Sequence, residues 1–172
     1  MLDDILARNL ALVVCGMAAG FESARHKKYY AGPGNRFWET LAALRLTPTK
    51  LKPSDARRLL EYGIGLTDLA KGQAGGDRYI RVTQPDAFAL RARIVLFQPR
   101  YLCFNGKRAA QLFLRRPQLD YGVQPDRIGR TILFVAPSTS GAARGSWDIT
   151  VWQDLAARVH RVQGRRLTPK WN

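Results

Sequence analysis

A loop rich in glycine, basic and aromatic residues follows the first apolar run of the chain. The run ends at Cys15, and residues 16–38 then read GMAAGFESARHKKYYAGPGNRFW. Small residues after a strand leave backbone N–H groups free to meet an anion, and basic side chains attract phosphate. Aromatic rings add flat surfaces on which a base can stack. Together these residue types predict a pocket for nucleic acid.

The charge balance points to the same kind of partner. The chain has 172 residues with 28 basic and 13 acidic side chains, a formal net charge of +15. Such an excess favours a polyanion, either nucleic acid or an acidic membrane surface, although a generally soluble basic protein also fits the composition. No apolar run is long enough to span a bilayer and no signal-like segment opens the chain, so we expect a cytoplasmic protein without a membrane partner.

The two cysteines lie in apolar, strand-like runs. Cys15 and Cys103 are therefore expected to be buried free thiols in a reducing compartment. Neither has metal-ligand spacing with His26 or His160. We expect the protein to use no metal and no organic cofactor.

Apolar periodicity predicts an alternation of strands and helices. Continuous aliphatic runs indicate strands at 10–15, 100–106 and 130–137. Helical stripes and end signals indicate helices at 35–44, 52–63, 85–97, 107–114 and 148–162, with Ser54 capping the second and Gly63 ending it. This order predicts an α/β fold with a mainly parallel sheet, in a single domain over residues 1–162. The basic segment 163–172 is expected to be a flexible tail.

In a parallel α/β fold, ligands bind beyond the carboxyl ends of the strands. Three predicted loops begin there, after Cys15, Phe104 and Val135, and each carries small or polar residues. Their backbone amides are expected to face an anion at one edge of the sheet. The sequence thus predicts that the nucleic-acid pocket lies at this edge.

Four segments in this order resemble the motifs of the uracil-DNA glycosylase superfamily. They are CGMAAGFESA with YYAGPGNRFW, GIGLTDLA, CFNGKRAAQLF and FVAPSTSGAAR, and the similarity runs from residue 2 to about residue 159. The branch that they resemble most is that of the mismatch-specific uracil and thymine DNA glycosylases. The resemblance implies a three-layer α/β/α sandwich. It also implies a monomer that flips a damaged base out of single- or double-stranded DNA and hydrolyses its N-glycosidic bond.

The resemblance also implies which residues contact the flipped base. Backbone N–H groups of Met17 and Ala18, in the turn that Gly16 opens, would stabilise negative charge on the departing pyrimidine. Tyr30 would form an aromatic lid over the ring. Two further residues belong to the implied pocket, Phe21 and Asn35. The plainer interpretation makes Tyr30 and its neighbour Tyr29 surface residues of a long loop.

Lys107 and the fourth motif are implied to hold the DNA. Lys107 would grip a phosphate at the start of a helix. A solvated lysine is the alternative, although it opposes the helix dipole. The fourth motif would enter the minor groove, where a wedge fills the gap left by the flipped base. Its implied DNA-binding residues are Ser138, Thr139, Ser140, Gly141 and Arg144. A turn-rich surface loop would have the same composition.

The first and fourth motifs lack polar side chains that relatives place there. In the mismatch-specific branch the position of Ala18 carries an asparagine that orients the attacking water, and relatives often have histidine or asparagine at Ala136. Asp68 in GIGLTDLA is the leading replacement, because a carboxylate there could orient water, stabilise the sugar cation or accept a hydrogen bond from the base. A turn or helix-cap aspartate is an equal alternative. Glu22 and Ser23 are secondary candidates.

Two functions are open at this point. Loss of one general base costs about 10²- to 10⁴-fold, so backbone donors leave room for a slow uracil-DNA glycosylase. The alternative is a protein that binds uracil-containing or abasic DNA without turnover. A general DNA- or RNA-binding domain fits less well, because Tyr30 and the loop 138–144 suit an extruded base. A Rossmann-type enzyme is disfavoured, since GMAAG is not the dinucleotide fingerprint.

Overall fold

A five-stranded sheet lies at the centre of the computed structural model, which describes residues 1–164. The strands are β1 (Leu12–Gly16), β2 (Ile64–Asp68), β3 (Tyr101–Asn105), β4 (Gly122–Ile128) and β5 (Thr131–Ala136). Every residue of β1, β2, β3 and β5 is buried, whereas β4 mixes buried and exposed residues. Strands that are buried throughout need a cover on both faces of the sheet.

The strand order across the sheet is β2-β1-β3-β5-β4. β1 pairs in parallel with β2 and β3, and β3 pairs in parallel with β5, while β4 is antiparallel to β5 at one edge. Side chains alternate between the two faces along a strand, so Val14 of β1 joins one apolar core and Val13 joins another. The mainly parallel sheet that the sequence predicts is therefore confirmed.

Within residues 1–164, five α-helices pack around the sheet. They are α1 (Phe21–His26), α2 (Phe37–Ala43), α3 (Gln84–Phe97), α4 (Lys107–Leu114) and α5 (Ile149–Val162). α2 and α5 contribute Phe37 and Trp152 to one core, and α3 and α4 contribute Leu90 and Phe113 to the other. The architecture is the expected three-layer α/β/α sandwich. The predicted helix at 107–114 has the predicted bounds.

The segment Pro53–Tyr62 differs from the expected helix. It forms a 3₁₀ helix with Lys52 at the N-cap position, and the Ser54 hydroxyl donates to the carboxylate of Asp55. The predicted Ser54 cap is wrong because a proline, suited to the first helical position, starts the helix earlier. Gly63 ends the helix as predicted, with a φ of +71° that favours glycine.

Two strands and one α-helix have no counterpart in the predicted alternation. β2 contains a glycine and ends on Thr67 and Asp68, so it lacks a continuous aliphatic run. β4 contains a proline, and its pairing with β5 shifts register between Val123 and Arg127. α1 has only six residues. Such elements depend on tertiary pairing rather than on a periodicity of their own.

The end of α5 is tied to the rest of the protein. The side-chain amide of Gln163 donates to the carbonyl oxygen of Tyr62 at 2.6 Å. The predicted tail, 163–172, lies outside the described residues except for its first two positions. Among residues 1–164, none of the helices has the length and apolar character that a bilayer crossing requires.

Candidate active site

The carboxyl ends of the parallel strands bring four residues into one row at an edge of the sheet. Gly16 of β1 pairs with Asp68 of β2, and Asn105 of β3 pairs with Ala136 of β5. β1 and β3 are themselves neighbours, which joins the two pairs. The three loops that the sequence predicts at this edge begin here, and a fourth follows β2.

Asp68 directs its carboxylate toward Gly16 rather than into solvent. The Asp68 side chain is 5% exposed, and a methyl group on Gly16 would lie 2.7 Å from its Oδ1 atom. Only a residue without a β-carbon leaves room for the carboxylate in this position. Asp68 is thus a buried residue at the end of a strand, and the turn or helix-cap alternative does not describe it.

Tyr30 brings its hydroxyl to the same place. The methyl group that Gly16 lacks would lie 3.6 Å from the Tyr30 oxygen. That hydroxyl is buried and has no hydrogen-bond partner among residues 1–164. Burial, followed by the Asp68 charge, raises the pKa of the hydroxyl well above its usual value, so it stays protonated at neutral pH.

Packing holds the Tyr30 ring in place. The ring lies on that of Phe37, with centroids 4.0 Å apart and a tilt of 31°. The residue has a φ of +53°, a left-handed conformation that is uncommon for tyrosine. Tyr30 is half-buried, and its neighbour Tyr29 is buried. Both tyrosines are built into the protein, so the surface-loop interpretation is wrong.

Burial raises the pKa of the Asp68 carboxyl to about 6. The Lys71 ammonium, 3.9 Å from Oδ2, opposes this rise. The Asp4 carboxylate raises the pKa, whereas Arg93 and the Tyr29 hydroxyl lower it. A carboxyl with this pKa is ionised at pH 7.5 and still takes up a proton readily, as general-base catalysis requires.

A cluster of charged and polar side chains lies next to the Asp68 carboxylate. The sequence patterns do not predict this cluster. Lys71 Nζ is 2.6 Å from Oδ1 of Asp4 and 2.9 Å from the Tyr29 hydroxyl. Thr67 donates to the same Asp4 oxygen at 2.7 Å, and Arg93 lies 3.5 Å from the other oxygen. Asp4 and Thr67 are 63 positions apart in the chain, so local spacing gives no signal for their contact.

The turn after β1 leaves two backbone donors free. Among residues 1–164, the N–H groups of Met17 and Ala18 have no hydrogen-bond acceptor. The carbonyl groups of this turn are used, because Leu69 N donates to Gly16 O at 2.9 Å and the next residue donates to Met17 O at 2.8 Å. The segment after β2 therefore fixes the turn and leaves its N–H groups available.

Asn105 fastens the fourth motif to the edge of the sheet. Its Nδ2 donates to Thr139 Oγ1, and its Oδ1 accepts from Thr139 N, both at 2.9 Å. The Thr139 carbonyl accepts from Arg36 N at 2.9 Å. Thr139 is buried and its hydroxyl is engaged, so it orders the loop from inside, which differs from the predicted contact with phosphate. The one signal for Asn105 in the sequence is a polar residue that ends an apolar strand.

Ser138 and Ser140 shape the same loop through local bonds. Ser138 Oγ accepts from Ser140 N at 3.2 Å. Ser140 Oγ accepts from Ala142 N at 3.3 Å and begins the 3₁₀ helix Gly141–Ser146. Each hydroxyl keeps its own hydrogen for an outside acceptor such as a phosphate.

Close packing joins the fourth motif to the loop before α2. A methyl group on Gly141 would lie 3.0 Å from the Pro33 carbonyl oxygen, so glycine permits this backbone contact. The Arg144 guanidinium lies 3.1 Å from the place that a methyl group on Gly34 would occupy. Arg144 itself is exposed. The two loops therefore present this cation at the surface where they meet.

Lys107 begins α4 immediately after Gly106, whose φ of +122° favours glycine. The Lys107 ammonium lies over the ring of Tyr121, 4.3 Å from its centroid, and the side chain is half-buried. This cation–π contact fixes the position of the charge near the carboxyl end of β3.

Two predicted residues order the loop that carries Tyr30. Ser23 is buried, and its Oγ accepts from Ala31 N at 3.2 Å. Asn35 Oδ1 accepts from Phe37 N at 3.0 Å, at the start of α2. Both side chains are engaged in these structural bonds, so neither meets Asp68 by a hydrogen bond.

Two other predicted residues point outward. Phe21 is 70% exposed at the start of α1. Glu22 is half-buried, with 43% of its side chain exposed, and pairs with His26 at 3.3 Å, four residues later in the same helix. Glu22 is thus separate from the buried carboxylate at the end of β2.

Two surface cavities lie outside the row formed by Gly16, Asp68, Asn105 and Ala136. The first, of about 260 Å³, is lined by Lys28 and by Tyr29, whose hydroxyl contacts Lys71, and the second, of about 220 Å³, lies beside His160. Cys15 and Cys103 are buried free thiols, as predicted. In the part of the chain that the structure describes, no group of three or more His, Cys, Asp or Glu residues could hold a metal ion.

Two comparisons relate this geometry to known proteins. The sequence model of the Uracil DNA glycosylase superfamily matches residues 4–156, a span that contains all four motifs. The fold is similar to the solution NMR structure of a proposed uracil DNA glycosylase from Methanosarcina acetivorans. The TM-score is 0.62 at 22% sequence identity, over 94% of this chain and 96% of that chain. At this identity the structural likeness concerns the fold alone.

Proposed function

Because this chain belongs to the uracil DNA glycosylase superfamily, we propose that it removes uracil from DNA by hydrolysing the N-glycosidic bond. The product is an abasic site, and the strand stays intact. One observation carries the proposal. A buried carboxylate, that of Asp68, lies against Gly16, two residues from the place where Ala18 lacks a polar side chain.

The proposed reaction places a water molecule beside Asp68. The water oxygen attacks C1′ of the sugar, and a water proton passes to the carboxylate. The bond between C1′ and the base nitrogen breaks, and both electrons leave with the base. A carboxyl with a pKa of about 6 is ionised at neutral pH and accepts that proton. Its negative charge also favours the positive sugar of the transition state.

The free N–H groups of Met17 and Ala18 are the proposed donors to the departing base. They are backbone groups, so the methyl side chain of Ala18 does not weaken them. The Tyr30 hydroxyl is a further donor beside Gly16, because it is buried, protonated and without a partner among residues 1–164. An oxygen of the base or of the attacking water would supply the acceptor that it lacks.

The proposed DNA-binding surface surrounds this edge of the sheet. Lys107 would contact a phosphate, since its ammonium is held near the carboxyl end of β3. Ser138 and Ser140 retain hydroxyl hydrogens for phosphate oxygens. Arg144 is the exposed cation that would enter the gap left by a flipped base. A net charge of +15 strengthens binding to any DNA through counterion release.

A second function is favoured by one feature of the sequence. Ala18 and Ala136 present methyl groups where relatives carry polar side chains. Without a group that activates water, the protein would bind uracil-containing or abasic DNA and release it unchanged. The two functions differ in whether the Asp68 carboxylate acts on water.

Incubation with uracil-containing oligonucleotides, followed by alkaline cleavage, distinguishes the two functions. We expect cleaved product from single- or double-stranded substrate with stoichiometric protein in buffer containing EDTA. The matched control is the same oligonucleotide with thymine paired to adenine, which should stay intact. Uracil-DNA that stays intact as well, while abasic DNA binds tightly, would replace the glycosylase by the binding function.

A further inference from the structure

The Lys71 ammonium lies among three acceptors, none of which belongs to Asp68. Its Nζ atom is 2.8 Å from the Leu2 carbonyl oxygen, 2.9 Å from the Tyr29 hydroxyl and 2.6 Å from Oδ1 of Asp4. A lysine ammonium carries three N–H donors. All three N–H groups of Lys71 therefore have acceptors other than Asp68.

The Lys71 charge acts on the Asp68 carboxylate, but the two side chains form no hydrogen bond. Oδ2 of Asp68 is 3.9 Å from Nζ, which is beyond hydrogen-bond distance but close enough for strong charge attraction. A direct hydrogen bond would occupy a carboxylate lone pair that the proposed water could use. The separation keeps Lys71 off this lone pair, while its positive charge favours the ionised carboxylate.

Asp4 is the residue that maintains this separation. The contact between Asp4 Oδ1 and Lys71 Nζ is the shortest of the three, and Asp4 is the one charged acceptor among them. Asp4 is held in turn by Thr67, at 2.7 Å, and by Arg93, 3.5 Å away. Thr67 directly precedes Asp68 in β2, so the hydrogen bond from Thr67 holds Asp4 next to the strand that carries Asp68, the proposed general base.

We infer that Asp4 is a positioning residue, which holds the Lys71 ammonium back from a hydrogen bond with Asp68 and so leaves the carboxylate free to bind water. This inference rests on the proposed function, because only a hydrolase needs the open carboxylate. It assigns a role in the active site to the segment before β1, which contributes no motif.

Other charged and titratable groups face Asp68 from the elements packed around it. Arg93 of α3 donates to the Asp68 backbone carbonyl at 2.9 Å. Tyr29 and Tyr30, from the loop before α2, and Cys15 of β1 are neutral at pH 7.5 because burial raises the pKa of each. Lys71 and Asp4 are thus the pair whose replacement changes the charge around the carboxylate side chain most directly.

Replacement of either member of the pair should move the Asp68 pKa, in opposite directions. In Asp4→Asn, Lys71 loses its anionic partner and closes on Asp68, so the pKa falls by about 1. In Lys71→Met the positive charge is gone, and the pKa rises by about 1. Asp4→Asn should slow single-turnover excision at pH 7.5 by about tenfold, because the carboxylate is captured by Lys71. In Lys71→Met the carboxylate is still mostly ionised at pH 7.5, so excision should slow by less than about twofold at this pH and more at lower pH.

The experiment combines two measurements on the whole protein. Carbon-13 NMR of the aspartate carboxyl groups, assigned with Asp68→Asn, gives the Asp68 pKa in wild type, Asp4→Asn and Lys71→Met. Single-turnover excision from pH 5 to pH 9 gives the rate on the plateau. Asp3→Asn, which changes the exposed neighbour of Asp4, is the matched control and should leave both quantities unchanged. Thermal melts verify that each variant is folded.

The expected result is a lower pKa with a lower plateau rate for Asp4→Asn, and a higher pKa for Lys71→Met. An unchanged pKa in Asp4→Asn, or a lower pKa with the wild-type plateau rate, would overturn the inference. The second result would make Asp4 a distant charge rather than a positioning residue. If wild type itself shows no excision, the proposed function fails, whereas an unchanged Asp68 pKa in Asp4→Asn overturns the inference whether or not excision occurs.

Discussion

The Oδ1 atom of Asp68 lies only 2.7 Å from the position that a methyl group on Gly16 would occupy. This contact is closer than side-chain atoms normally approach, so glycine at the end of β1 and the carboxylate at the end of β2 depend on each other. The backbone of Gly16 does not have a positive φ. The requirement for glycine here is therefore one of space and not of backbone conformation.

Gly16→Ala should accordingly displace the carboxylate and slow excision. We expect a loss of at least about tenfold in the single-turnover rate, because the carboxylate loses its alignment with water. Gly20→Ala is the matched control, since no atom lies within 4 Å of the methyl group that it adds. Equal rates for the two alanine variants would show that the position of Asp68 against Gly16 has no part in catalysis.

Asp68→Asn should make the protein more stable relative to wild type as the pH rises. The ordinary pKa of an aspartate carboxyl is 3.8, whereas that of Asp68 in the folded protein is about 6. The folded state therefore binds the proton more tightly, and the wild type loses stability as the pH rises from about 4 to about 6. A shift of this size corresponds to about 3 kcal/mol, which asparagine does not lose.

Urea unfolding of both proteins at pH 4 and pH 7.5 measures this effect. The free energy of unfolding of Asp68→Asn, minus that of wild type, should be larger at pH 7.5 by roughly 2–3 kcal/mol. A difference that is the same at both pH values would mean that Asp68 is ionised without cost in the folded protein.

The sequence predicts the strands that end at the candidate site better than it predicts the charged cluster of Asp4, Lys71 and Arg93 beside Asp68. β1, β3 and β5 are buried on both faces, and such strands have continuous aliphatic sequences that are easily recognised. β2 ends on Thr67 and Asp68, which are polar and nevertheless buried: Thr67 donates to Asp4, and the charge of Lys71 lies 3.9 Å from the Asp68 carboxylate. A hydrophobic pattern cannot indicate such a strand.

The fourth motif shows the same limit. Its serines, threonine and glycine were expected to contact DNA, but the structure turns Thr139 inward onto Asn105. Composition predicts a polar loop, and it does not distinguish a hydroxyl that faces a ligand from one that fastens the loop. Asp4 and Lys71 were missed for a related reason, since their contact depends on how the segment before β1 packs on β2.

Lys107→Ala should weaken binding to all DNA sequences alike. Loss of one phosphate contact should lower the slope of log K against log salt by about 0.9 on duplex DNA. Lys50→Ala is the matched control, because it removes an equal charge from an exposed lysine that lies near Glu39. Fluorescence anisotropy at several salt concentrations measures both slopes. If the two variants have the same slope, Lys107 acts only through net charge.

Arg144→Ala should impair excision from duplex DNA more than from single strands. Only a duplex leaves a gap when a base is flipped, and the exposed guanidinium is proposed to fill it. We expect a loss of about tenfold on the duplex and about twofold or less on the single strand. Parallel single-turnover assays on the same uracil sequence provide the comparison. Equal losses on both substrates would remove the wedge role from Arg144.

The central claim is that Asp68 activates water in place of the polar side chain that Ala18 lacks. Single-turnover excision by Asp68→Ala, Asp68→Asn and Glu22→Ala tests this claim most directly, with abasic-DNA binding and thermal melts as checks on each variant. Glu22 supplies the matched carboxylate, because it is paired with His26 and lies apart from the end of β2. We predict that Asp68→Ala lowers the rate by at least about 10² while abasic DNA still binds, and that Glu22→Ala keeps the wild-type rate. Excision by Asp68→Ala at the wild-type rate would contradict the claim and leave catalysis to the backbone donors and a water held without this carboxylate.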